Sequence, residues 1–138
     1  MPTPLEEKDA IREVLAEYCF RLDGGRYDDM AGLFSEDGTW ETDFGKGSGH
    51  AGIAAHARDI RARAGGTRPR AVHLTTNIVV TLSGEEAMVR SNWTLVHNSP
   101  DGPKIGSGGG YIDQMVKRNG SWLFRHRKID RFIAAGKE

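Results

Sequence analysis

Glu17–Met30, EYCFRLDGGRYDDM, joins two amphipathic runs through one aspartate and a glycine pair. Glycine reaches the left-handed backbone that closes a helix without steric cost, so the pair acts as a stop signal. Asp23 therefore belongs to the last turn of a helix. Tyr18 lies five residues earlier. Five residues turn a helix through roughly 500°, which leaves the two side chains within about 140° of each other. Both can edge one pocket mouth.

Working outward, Thr3-Pro4-Leu5-Glu6 is a capping box with proline at the first helical position. Ile11, Val14, Leu15, Tyr18, Cys19 and Leu22 follow at helical spacing. A second, shorter helix is expected to carry Tyr27, Met30, Ala31 and Phe34 on one face. Ser35–Gly38 reads as a turn, Thr39–Phe44 as a short strand holding Trp40, and Gly45–Gly49 as a flexible loop. A third helix is expected from Ala51 to about Ala64, with Ile53, Ala57 and Ile60 inward. After Gly65-Gly66 the period changes to two. Val72, Leu74, Thr76, Ile78, Val80 and Leu82 alternate with His73, Thr75, Asn77, Val79 and Thr81. The first set is the more apolar, yet both faces of a curved sheet can be covered, one by helices and one by a partner chain. His73 is therefore expected to face the helices. Further strands follow at Ala87–Asn98, Gly108–Arg118 and Trp122 to about Ile133, the last two joined by the hairpin signal Asn119-Gly120. The order ααβαββββ defines an α+β fold, about three helices packed on one face of a mostly antiparallel sheet.

The 138 residues fit one domain spanning 1–138. Hydrophobic residues make up 38% and charged residues 28%, an ordinary globular balance. Lys+Arg and Asp+Glu are both 19, which argues against a nucleic-acid partner. The lone Cys19 excludes a disulfide framework and reads as a buried thiol. No apolar stretch is long enough for a membrane span, and no secretory signal is visible, so a cytoplasmic protein without a membrane partner is expected. No His, Cys and carboxylate spacing suggests a metal site.

The runs YCFRLDGGRYDDMAGLFSEDGTW, HLTTNIVV and GGGYIDQMVKRNGSWLFRHRKI resemble the SnoaL-like branch of the nuclear-transport-factor-2-like superfamily over nearly the whole chain. The resemblance implies a cone-shaped barrel, helices closing over a curved sheet around a deep apolar pocket. It also implies a homotrimer, with a dimer as second choice. Three of the superfamily's enzyme groups map onto this chain in part. The bile-acid dehydratase pattern falls on Tyr18, Asp23, His73 and Arg131, but has an aspartate where this chain has His97. The scytalone dehydratase pattern falls on Asp23, His73 and His97, but its two tyrosines meet Leu22 and Thr42. The hexachlorocyclohexane dehydrochlorinase pattern falls on Asp23, His73 and Arg127, with its lysine replaced by Tyr18.

All three reactions begin by removing a proton from carbon. That step needs a base whose pKa lies near working pH, which histidine supplies. A carboxylate on the other ring nitrogen fixes the tautomer and stabilises the imidazolium. Asp23 and His73 can form that dyad. Tyr18, His97, Arg127 and Arg131 are candidate donors to a developing oxyanion. Trp40, Trp93 and Tyr111 would line a slot for a hydrophobic, ring-containing small molecule. The expected activity is a cofactor-independent lyase of dehydratase type or an isomerase. A polyketide-type cyclase needs the same residues. A non-catalytic binding or assembly module, related to dioxygenase small subunits, is the third class. Plainer readings stand beside the residues. Tyr18 lies on the core face of its helix, and arginines on strands most often form salt bridges. His50 and His56 read as solvated or capping, and Asp113 as a surface or interface residue.

Overall fold

The computed structural model describes residues 1–64 and 70–134. The elements are α1 (Pro4–Asp23), α2 (Tyr27–Ala31), β1 (Phe34–Thr42), β2 (Gly45–Ser48), α3 (Gly49–Arg63), β3 (Ala71–Ser83), β4 (Glu86–His97), β5 (Lys104–Arg118) and β6 (Ser121–Ala134). One sheet runs β2-β1-β6-β5-β4-β3, and β3 is an edge. Every neighbouring pair is antiparallel except β1 with β6. The helices pack on the concave face, so the fold is α+β as expected. Gly65 and Gly66, where the sequence changes period, lie outside the described residues.

The capping box forms: the Thr3 hydroxyl accepts from the Glu6 backbone N–H at 3.2 Å, and the Glu6 carboxylate accepts from the Thr3 N–H at 3.1 Å. Ile11, Leu15, Tyr18 and Cys19 are the buried face of α1. Its far end is clipped to the sheet by Glu7, which takes Lys117 Nζ at 2.6 Å and Trp122 Nε1 at 2.7 Å. Gly25 has φ 72°, the backbone that the glycine pair was expected to supply.

Three expectations between the helices need correction. Phe34 does not continue α2; it opens β1 and pairs with Phe124 of β6. The expected turn at Ser35–Gly38 is a bulge inside that strand, where the β1–β6 register shifts between Phe34 and Thr39. The expected loop at Gly45–Gly49 is mostly β2, paired with β1. A Cβ on Gly47 would stand 2.7 Å from the Gly52 carbonyl oxygen, so glycine serves here to let the hairpin lie against α3. The observed order is ααββαββββ.

Bulges also redraw the inner face. Asn77 adopts φ 55°, and the β3–β4 register shifts between Thr76 and Val79. Before the bulge His73 and Thr75 face inward; after it Ile78, Val80 and Leu82 do. The even-numbered apolar face of β3 is thus split, and only Val72 and Leu74, with Val79, remain outside, each nearly half exposed. A second shift in β5–β6 lies between Gln114 and Met115. It puts Arg127 on the face of Trp122 and Phe124, not on that of Leu123.

Asp113 is not a surface residue. It is fully buried and bonded to the fully buried Arg127, with Nε–Oδ1 at 2.9 Å and Nη2–Oδ2 at 3.4 Å. The guanidinium carbon sits 3.5 Å from the Tyr111 ring centre, 4.2 Å from Tyr18 and 4.7 Å from Phe124. Burial pushes the Asp113 carboxyl up to about 6, against the pull of Arg127. Burial also opposes the Arg127 charge, and Asp113 together with Tyr111, Tyr18 and Cys19 more than offsets it.

Removing one partner of such a pair leaves an uncompensated buried charge, at a cost of about 3–5 kcal/mol. Asp113→Ala is therefore expected to lose roughly that much unfolding free energy in urea at pH 7; a loss below about 1 kcal/mol would contradict the pair's role. The pH dependence has a definite sign. A carboxyl with a raised folded pKa contributes stability below its unfolded value of 3.8, and that contribution is lost as pH rises through about 6. The stability of the wild type minus that of Asp113→Asn is expected to fall between pH 4 and pH 6 and stay level above.

Candidate active site

Asp23 is the last residue of α1, and His73 is the third residue of β3. Because β3 is an edge strand, some of its N–H groups need partners outside the sheet. Asp23 supplies one. Its Oδ2 accepts the His73 backbone N–H at 2.9 Å, and its Oδ1 lies 2.5 Å from His73 Nδ1. Both carboxylate oxygens therefore hold one residue, through backbone and ring at once. A carboxylate only accepts, so Nδ1 carries a proton, and in the neutral ring the basic nitrogen is Nε2. The two side chains are 15% and 16% exposed, open enough for a ligand to reach them.

The cavity beside this pair has a volume of about 1300 Å³. Asp23, His73, Tyr18 and Arg131 line it, as do the three aromatic candidates Trp40, Trp93 and Tyr111. The Trp93 ring centre lies 6.1 Å from that of His73, and the Arg131 guanidinium carbon 5.4 Å from it. Trp93 is pinned by its Nε1–H, which donates to the Asp130 carbonyl at 3.1 Å. Arg131 donates through Nε to Asp43 at 2.8 Å. His73 and Arg131 are thus arranged around one indole.

Tyr18 forms the floor. It is fully buried, and its hydroxyl accepts from Trp40 Nε1 at 3.1 Å. Burial pushes the phenols of Tyr18 and Tyr111 well up, with Arg127 pulling the other way, so both stay neutral. Trp40 in turn rests edge-on against His56. His56 is not solvated: it is buried, its Nε2 lies 2.9 Å from Thr42 Oγ1, and burial lowers its pKa. His50 Nε2 donates to the Phe34 carbonyl at 2.7 Å. The Cys19 thiol is buried against Thr75 at 3.3 Å.

Two candidates are not brought to the cavity. Arg127 stands behind Tyr18 and Tyr111, and His97 is not among the described residues that line the space. The His97 ring packs over Gly106 at the end of β4, with Nδ1 on the Asn98 carbonyl at 2.9 Å. Asp43 and Asp113 were missed by the sequence reading. Asp113 had a signal, because period-two alternation puts it on the face of Tyr111 and Met115. No group of three His, Cys, Asp or Glu positioned for a metal occurs among the described residues. No helix among them is long and apolar enough to cross a membrane.

A cone of helices over a curved sheet, with a carboxylate–imidazole pair at an apolar cavity, defines a class that sequence comparison makes specific. The chain belongs to the SnoaL-like family, whose domain matches residues 3–128. No curated protein sequence matches it. Among solved structures, a Mycobacterium tuberculosis protein of unknown function is 28% identical, with TM-score 0.80, covering 94% of this chain and 76% of that one. A Novosphingobium aromaticivorans protein assigned as a scytalone dehydratase is 26% identical, with TM-score 0.77, covering 97% and 96%. ActVI-ORFA from Streptomyces coelicolor shares the fold at 19% identity and TM-score 0.82, covering 93% and 96%.

The tautomer can be read directly. Nitrogen-15 shifts of neutral His73 are expected to show protonated Nδ1 and unprotonated Nε2, and Asp23→Asn is expected to reverse them. Protonated Nε2 in the wild type would contradict the geometry.

Proposed function

We propose that this protein is a cofactor-independent lyase or isomerase acting on a hydrophobic, ring-containing carbonyl compound. The observation that carries the reading is the double hold of Asp23 on His73 at the cavity wall, which occupies Nδ1 and leaves Nε2 as the candidate base. Nε2 takes a proton from the carbon beside the carbonyl, and the electron pair moves onto the carbonyl oxygen as an enolate. Loss of a leaving group from the next carbon gives the lyase outcome. Reprotonation at another carbon gives the isomerase outcome. Asp23 stabilises the imidazolium. Arg131, on the same indole as His73, is the charged group best placed to meet the enolate oxygen, and neutral Tyr18 supports the slot from below. The relative assigned as a scytalone dehydratase favours elimination.

A second reading, a non-catalytic ligand-binding module, draws on one observation: Tyr18 has no exposed surface, as a core residue would not.

Proton abstraction can be measured without knowing the leaving group. The wild type is expected to speed exchange of the α-hydrogens of ring ketones such as 2-tetralone in deuterated water, followed by NMR. His73→Ala should lose about 100- to 10,000-fold of that acceleration, and a chelator should leave it unchanged. Equal rates for wild type and His73→Ala would overturn the reading in favour of the binding module.

A further inference from the structure

Gly106-Ser107-Gly108-Gly109-Gly110 puts four glycines in one strand, β5, where each weakens the strand unless a neighbour needs the room. At three of them the room is taken. The His97 ring lies over Gly106, the Phe132 ring over Gly110, and a backbone carbonyl over Gly109. The last of these contacts reaches the cavity. Gly109 is buried and pairs with Trp93 on one side and Arg131 on the other. A Cβ on it would stand 1.9 Å from the Asp130 carbonyl oxygen, closer than real Cβ atoms come. The β5–β6 register shifts between Gly108 and Gly109, so a bulge lies beside this contact. The same carbonyl oxygen accepts the Trp93 indole N–H at 3.1 Å. From β4, Asn92 Nδ2 donates to the Gly109 carbonyl at 3.2 Å and holds the glycine in place.

We infer that Gly109 is a positioning residue of the candidate active site: the side chain it lacks makes the place from which the Asp130 carbonyl fixes the Trp93 indole beside His73. The inference rests on the cavity being the reaction site, as proposed above, and adds a residue that touches no substrate. Trp93 is 3% exposed, so its N–H needs an acceptor within the protein, and Asp130 provides it. Tied at the N–H as well as at its Cβ, the indole holds one plane. Its ring centre lies 6.1 Å from that of His73 and 6.3 Å from that of Tyr111, so it is the wall between the base and the aromatic floor. An indole released from Asp130 would turn about its side-chain bonds and change the slot in which a ketone meets His73. A misplacement of about 1 Å is enough to cost up to about a hundredfold in rate.

Two variants test this. Trp93→Phe keeps a ring and removes only the N–H. Gly109→Ala keeps the indole and displaces its acceptor; its Cβ would also stand 3.0 Å from Arg131 Cα, so it disturbs β6 more widely. In proton NMR the Trp93 Nε1–H, assigned by its loss in Trp93→Phe, is expected to exchange slowly with deuterated water in the wild type. In Gly109→Ala it should move upfield and exchange about tenfold faster or more, and the His73 ring protons should move with it. Ketone α-hydrogen exchange should fall about tenfold in kcat in each variant, and the double variant should lose little more than either. An Nε1–H and a His73 ring left unmoved in Gly109→Ala, or wild-type rates in Trp93→Phe, overturn the inference. If Gly109→Ala does not fold, the rate of Trp93→Phe decides it. A wild type that exchanges no ketone defeats the proposed reaction instead, and the two NMR signals then decide the positioning by themselves.

Discussion

Asp23 joins the end of α1 to the edge of the sheet, and the site depends on that joint. One oxygen satisfies an edge-strand N–H that no neighbouring strand reaches, and the other fixes the imidazole. Hydrogen bonds to a charged group are worth about 1.5–3 kcal/mol each, so the pair adds to the packing of Tyr18, Cys19 and Leu22 at that helix end. The same two bonds determine which way the ring is held and which ring nitrogen is basic in its neutral form. Structure and chemistry are not separable at this residue. The glycine pair after it lets the chain turn away without covering the cavity.

Beneath the aromatic floor lies a different kind of constraint. Arg127 and Asp113 are wholly buried, and burying two charges costs more than their attraction returns unless every bond is made. Here three aromatic rings crowd the guanidinium, which adds cation–π attraction, yet Arg127 Nη1 has no partner among the described residues. The pair therefore does not maximise stability. It ties β5 to β6 across Asp113 and Arg127, with the guanidinium against the rings of Tyr18 and Tyr111.

The parts written in short-range chemistry were legible. The capping box, the glycine stop after Asp23 and the Asn119-Gly120 hairpin all act within a few residues, and each stands where the sequence placed it. The inward orientation of His73 was legible only against the apolar count of its strand. What was not legible lay beyond bulges. Asn77 reverses the faces of β3, and the shift beside Met115 moves Arg127 inward. Neither leaves a local mark stronger than one asparagine or one ordinary residue. Asp113 was misplaced because a charged residue on a strand is normally solvated, and only its distant partner Arg127 changes that. His97 failed to reach the cavity because β4 ends there, and its ring fits over Gly106 instead.

The account turns on Asp23 and His73 acting as one unit. Asparagine at position 23 can still accept the His73 backbone N–H, but its amide would donate to Nδ1 and leave Nε2 protonated. The fold should survive and the base should not. The deciding measurement is a four-protein cycle: wild type, Asp23→Asn, His73→Ala and the double variant, each assayed for ketone α-hydrogen exchange and for thermal melting. The account predicts that Asp23→Asn loses nearly as much exchange as His73→Ala, that the double variant loses little more, and that the melting temperature of Asp23→Asn stays close to wild type. Near-normal exchange by Asp23→Asn together with a sharp fall in its melting temperature would contradict it, and would make Asp23 a structural tie alone.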